Sequence, residues 1–190
     1  MFEGFITKAV SNSVVKYETE MKNMKRTILS SLGMCAIMGA LVLVLPFLAA
    51  PRLVLRFLPK DVYEAGKDHP APSRKRQLLG HLLTAAFCGY ITWAYKDNIN
   101  RIKQEKLSFG QAFCRLMVFL LIEKAFDIAV LDQYLCMTSG YYKRFYPETA
   151  GCEGWHDRSW NSRQQGVRLL LYPVICTVQA YLLTRNKKIS

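Results

Sequence analysis

The chain has 190 residues, 51% of them hydrophobic, and a formal charge of +12. That length suits one compact unit, and the basic excess calls for an acidic partner, either nucleic acid or anionic lipid. No zinc-finger spacing, RNA-binding signature or basic–heptad pattern accompanies the charge, which argues against nucleic acid, and the absence of C-x-x-C argues against a zinc ribbon or a thioredoxin-type redox motif.

Mean hydropathy is close to zero, at +0.06. The average hides a pattern in which apolar residues are blocked together and charges sit between the blocks. Residues 1–26 open the chain with Phe2, Phe5, Ile6, Ala9, Val10, Val14, Tyr17, Met21 and Met24 at spacings of three and four. That is the period of an amphipathic helix, here one able to lie among lipid headgroups before the chain enters the bilayer.

Residues 27–50 contain no charged side chain. As a helix they would extend about 36 Å, enough to cross a hydrocarbon core of about 30 Å. A cleavable signal peptide is not expected, because the block is too long for an h-region and is followed by Pro51 and Arg52 rather than a small-residue cleavage site. Gly33, Gly39 and the Ala36/Ala40 pair would let a neighbouring helix approach closely. Pro46 and Pro51 should bend or end the helix. A basic loop, 51–76, follows.

The second apolar block spans about 77–95 and is interrupted by His81. A short charged linker leads to a third helix expected over 108–137, and a fourth block covers about 167–184. The reading is therefore an all-α, multi-pass integral membrane protein. It has about four transmembrane helices in one bundle (27–190), an N-terminal amphipathic interfacial helix (1–26), and long loops at 51–76 and 138–165. Basic residues beside spans bind anionic headgroups at roughly 1 kcal/mol each, so the bilayer itself is the expected acidic partner. Orientation stays open: four spans put 12 Lys and Arg on one side and 11 on the other, whereas a re-entrant first block would give 16 against 7. The positive-inside rule needs a bias that the first count lacks.

The third helix carries the sharpest polar signal. Glu123, Lys124, Asp127 and Asp132 fall within ten residues of an otherwise apolar run. Each costs about 2.5–3.5 kcal/mol at membrane depth unless paired or facing water. Glu123 and Asp127 are four apart and share an α-helical face, with Lys124 placed to offset their repulsion. Asp132 lies further round the helix, near its end. Three readings compete: a buried structural ion-pair set completed by His81, Arg115, Arg168 or Gln179; a proton, ion or polar-substrate site formed by Glu123, Asp127, Lys124 and His81; or a surface covered by a partner subunit or a second copy.

The 138–165 loop is the other candidate. Its Tyr134, Tyr141, Tyr142, Phe145, Tyr146, Trp155 and Trp160 read most simply as an interfacial aromatic belt. Glu153, His156 and Asp157 form a possible catalytic group, with His156 as a general base oriented by a carboxylate and acting on an amphiphilic or lipid-linked substrate. Glu153 and His156 have the spacing of carboxylate–histidine metal ligands, but the flanking Gly151 and Gly154 disfavour the helix such a site needs, so no metal is expected. No Walker, dinucleotide-binding or Gly-x-Ser-x-Gly pattern occurs, and no cofactor is expected. Transport or permeation at the third helix is the leading functional expectation. An interfacial enzyme and a non-catalytic membrane scaffold are the alternatives.

Overall fold

A computed structural model describes the backbone of residues 2–185 and the side chains of residues 24–157 and 165–185. Among the described residues the regular secondary structure is all helical, with no strand. Four long helices dominate: α1 (Phe2–Leu48), α4 (Arg74–Gln104), a third formed by α5 (Phe109–Phe126) and a π-helical continuation (Asp127–Thr138), and α7 (Arg158–Arg185). Between them lie the short helices α2 (Pro51–Leu55), α3 (Lys60–Gly66) and α6 (Tyr141–Phe145), with 3-10 turns at Pro147–Thr149 and Glu153–His156.

The backbone of α1 runs unbroken from the N-terminal region into the first apolar block. Of the apolar face expected at Phe2–Met24, all but Met24 lies outside the described side chains, as does Trp160. Helix α4 continues nine residues past the expected end of the second block, which shortens the connection to α5. There Lys106 adopts a left-handed φ of 50°. Its N–H bonds Lys103 O at 3.1 Å, and Leu107 N–H bonds Ile102 O at 3.3 Å. This is a Schellman closure, and the buried Leu107 and Ile102 make its accompanying apolar contact. Ser108 then caps α5: its Oγ accepts from Gln111 N–H at 3.4 Å, and Gln111 Oε1 accepts from Ser108 N–H at 2.9 Å.

Close contacts fix the helix directions. A Cβ on Gly33 would come within 2.5 Å of Tyr90 Oη, and one on Gly80 within 3.1 Å of Leu48 Cβ, so α1 and α4 run antiparallel. Ser31 reaches Phe119 O, Cys35 reaches Ile122 O, and Gly39 lies against Phe126, so the third helix runs parallel to α1. Helix α7 returns antiparallel to it, packing Cys176 and Ala180 on Ala112 and Leu116. The glycines make the close approaches, whereas Ala36 and Ala40 of the small-residue pair are exposed.

Two helices, Met24–Leu48 and Gln165–Arg185, are long and apolar enough to cross a membrane by length and composition. Their most apolar stretches are only 17% and 11% buried. Leu29, Leu78, Leu82, Leu170 and Leu182 are among the large apolar side chains turned outward.

The two long connections fold on each other at one end of the helices. Val54, Leu55 and Val62 pack with Tyr142, Tyr146 and Trp155. These three aromatics are therefore core residues of a cap rather than a belt; Tyr134 alone of the described tyrosines in that segment is strongly exposed, at 62%. Trp155 Nε1 donates to Thr149 O at 2.8 Å, and Gly154 N–H donates to Asp61 Oδ2 at 2.8 Å. Pro46 matters here. It lacks an N–H, so Val42 C=O has no helical donor. The Tyr142 hydroxyl supplies one at 3.0 Å, and the Tyr141 hydroxyl donates to Leu43 O.

Candidate functional site

The ionisable residues of the third helix are turned inward. Lys124 is 3% exposed and its Nζ donates to Asp127 Oδ2 at 2.6 Å. Glu123 is half-buried and within electrostatic reach of both. An ion pair three residues apart on one helix removes much of the desolvation cost that unpaired charges would carry. The other polar groups named as partners divide. Arg168, on α7, lines the same cavity as Asp127 and Asp132. Arg115 instead forms a two-pronged pair with Glu105, at 2.9 Å for each bond, and Gln179 lies beside Tyr95 with its Oε1 buried and without a hydrogen-bond partner.

At Asp127 the helix changes register. From there to Thr138 the backbone is π-helical, bonded from each N–H to the carbonyl five residues back; Ser139 N–H to Tyr134 O at 2.8 Å closes it. Residues five apart then stack, so Asp132 is brought onto the face that already carries Asp127, with Leu131 and Cys136 beside it. An α-helix would turn Asp132 well away. Gln165 Nε2 donates to Asp132 Oδ2.

That face borders a cavity of about 520 Å³ between α1, the π-helix, α7 and the cap. Met38, Val42, Leu45, Phe57 and Leu131 give it apolar walls, while Asp127, Asp132, Gln165, Arg168 and Arg56 supply its charged and amide groups. The size, and the ratio of few polar groups to many apolar ones, are those of a small-molecule site. Of the four residues expected to bind substrate, Asp127 lines this cavity, Lys124 holds Asp127 from behind, and Glu123 sits next to the pair. His81 is exposed on α4; Thr84, three residues further on, lines the cavity.

Glu153, His156 and Asp157 are all exposed and line a separate groove of about 560 Å³ on the outer face of the cap, with Pro59, Lys60 and Asp61. Among the described residues no three His, Cys, Asp or Glu side chains are grouped to hold a metal ion. Cys136 and Cys152 are unbonded; Cys136 lines the inner cavity, and Cys152 Sγ points to Asp61 O at 3.6 Å.

In the cap, burial holds the Tyr142 phenol far above its usual range and pushes that of Tyr146 up to about 12. Both stay neutral at physiological pH; Tyr142 donates to Val42 O, whereas the Tyr146 hydroxyl is buried without a hydrogen-bond partner. His69 Nδ1 lies 2.8 Å from Glu148 Oε1, tying the two connections together, and that hydrogen bond holds the Glu148 carboxyl below the usual carboxylate range.

The sequence does not single out Asp132, Gln165 and Arg56 as sharing a cavity with Asp127. Helical spacing of 3.6 separates Asp132 from Asp127, and nothing local in the sequence announces the π register. Comparison with protein-family models, curated proteins and solved structures finds no match to this chain.

Proposed function

We propose that this chain is a multi-pass membrane protein with four spans, whose third helix carries a solute site serving transport or permeation. Three features support the membrane reading. Two helices have the length and hydropathy of spans. The outward surfaces of α1, α4 and α7 are rich in large apolar side chains. The helices alternate in direction, with both long connections gathered at one end, as an even number of crossings requires.

The observation that carries the functional reading is the cavity where Asp127 and Asp132 meet on one π-helical face. Ionisable groups at membrane depth that face a cavity rather than lipid mark pathways for ions or polar solutes. Local π-helical turns recur at functional sites. The Lys124–Asp127 pair keeps a charge inside the bundle at tolerable cost, and its partner carboxylates offer exchangeable ligands.

The test is flux in liposomes reconstituted with the purified chain and loaded with proton- and sodium-sensitive dyes. Asp127→Asn and Glu123→Gln should each cut flux by about tenfold or more, as expected when a charged hydrogen-bonding group is lost; assembly is checked by size-exclusion profile, since Asp127→Asn also leaves buried Lys124 without its partner. Flux unaltered in both variants removes the reading. A second reading, an interfacial enzyme, draws on the groove that brings Lys60 and Asp61 to Glu153, His156 and Asp157; for it, His156→Ala is the decisive variant.

A further inference from the structure

We infer that the cavity beside the π-helix binds an amphiphile whose head carries a primary ammonium next to an anionic group, the chemistry of an ethanolamine phospholipid. This inference rests on the cavity being a binding site, as proposed above, rather than on ion flux through it, and names what binds there. The key group is Gln165, which is 7% exposed and lines the cavity. Its Nε2 is committed to Asp132, and its Oε1 is buried without a hydrogen-bond partner. A buried amide oxygen left unpaired costs about 1–3 kcal/mol, so a site that keeps one invites a donor from a ligand. The amide orientation follows from chemistry: turned over, Oε1 would face the Asp132 carboxylate.

The surrounding groups narrow the donor. Asp132 and Asp127 place carboxylates on the same wall, Asp127 paired with Lys124 and Asp132 with Gln165, and a carboxylate oxygen accepts most strongly from a further donor that is also cationic. Arg168 and Arg56 line the same space and are exposed, and Arg56 lies over the Phe57 ring at 5.3 Å. Guanidinium groups there suit a phosphodiester. The remaining lining is apolar, from Met38, Val42 and Leu45 of α1 to Leu131, and suits acyl chain. A head with opposite charges on a hydrophobic tail satisfies all three; a choline head does not, because its methylated nitrogen has no N–H to give Gln165.

The test is photocrosslinking of the full chain in nanodiscs with diazirine-tagged ethanolamine, choline and glycerol phospholipids at equal mole fraction. The ethanolamine lipid should label the 127–138 and 165–168 peptides about tenfold more than either other lipid, the ratio expected for one charge-assisted hydrogen bond. Gln165→Leu should erase that preference while leaving total labelling elsewhere unchanged. Should that variant fail to fold, the wild-type lipid ranking still decides the matter. Equal labelling by all three overturns the inference, as does displacement by free phosphoethanolamine at concentrations equal to the lipid's, which would make the ligand a small solute. Because labelling needs no flux, a failed ranking with intact Asp127-dependent flux rejects the ligand and leaves the proposed function standing, whereas lost flux dependence with intact ranking does the reverse.

Discussion

Lys106 holds a backbone conformation that suits glycine. A side chain in the left-handed region costs about 1–2 kcal/mol, offset in part by the unfolded chain's greater freedom when glycine is present. Lys106→Gly should therefore raise stability by up to about 1 kcal/mol, seen as a higher melting temperature in detergent with unchanged helicity. The adjoining Arg115 illustrates how single side chains are spent on structure. It is 2% exposed and grips Glu105 with both terminal nitrogens, closing the α4–α5 turn from beneath. Its position inside an apolar block reads as a partner for the third-helix carboxylates, and only the fold reveals a nearer acid ten residues back along the chain. The Glu148–His69 contact is sensitive to acid. Because the folded Glu148 carboxyl sits below its ordinary range, its contribution is complete above that range and is lost as pH falls through the lowered value. Cap-localised hydrogen exchange should rise as pH drops through the acid side of the carboxylate range in the native chain, and less so in Glu148→Gln.

At the scale of elements, Pro46 and Tyr142 act as a unit. The proline opens a carbonyl near the end of α1, and a tyrosine 96 residues later fills it. Tyr142→Phe would leave the part-buried Val42 C=O unpaired, at a cost of about 1 kcal/mol. In a Pro46→Ala background the helix regains its own donor, so the same Tyr142→Phe change should cost markedly less; a double-mutant cycle by thermal melting measures the difference. The helix starts and stops are written locally. Ser108 with Gln111, the prolines near residue 48, and the basic residues before residue 77 all mark ends that the fold respects within a few residues. The third helix departs from that pattern. Its apolar periodicity is compatible with a single α-helix through residue 137, yet the backbone changes to i→i+5 bonding at Asp127. That change brings a carboxylate that α-helical spacing sets further round the helix to face an internal cavity.

For the molecule as a whole, two ends are distinguishable. The cap joins residues 51–66 to 141–156, while the opposite end gathers residues 24–27, 98–115 and 180–183. The proposed four crossings make a definite statement about sidedness: Cys152 and a cysteine placed at the exposed Asp68 must react with a membrane-impermeant maleimide from the same face of the membrane. Labelling from opposite faces would break the four-span arrangement. Exposed Cys88 and Cys114, on the outward surfaces of α4 and α5, should resist that reagent and react with an apolar one. The near-tie in basic residues leaves the direction of insertion unspecified, and the cap does not alter the count.

Sequence alone determined the helical class, the apolar blocks, most helix ends and the charge set at 123–127, since each is encoded by neighbours a few positions apart. Tertiary structure decided which of those residues share a space. Gln165 reaches Asp132 across 33 positions, Gly154 reaches Asp61 across 93, and Tyr142 reaches Val42 across 100. Such pairings arise when whole helices and loops settle their packing, and a period read along one segment contains no information about what the next segment brings to it.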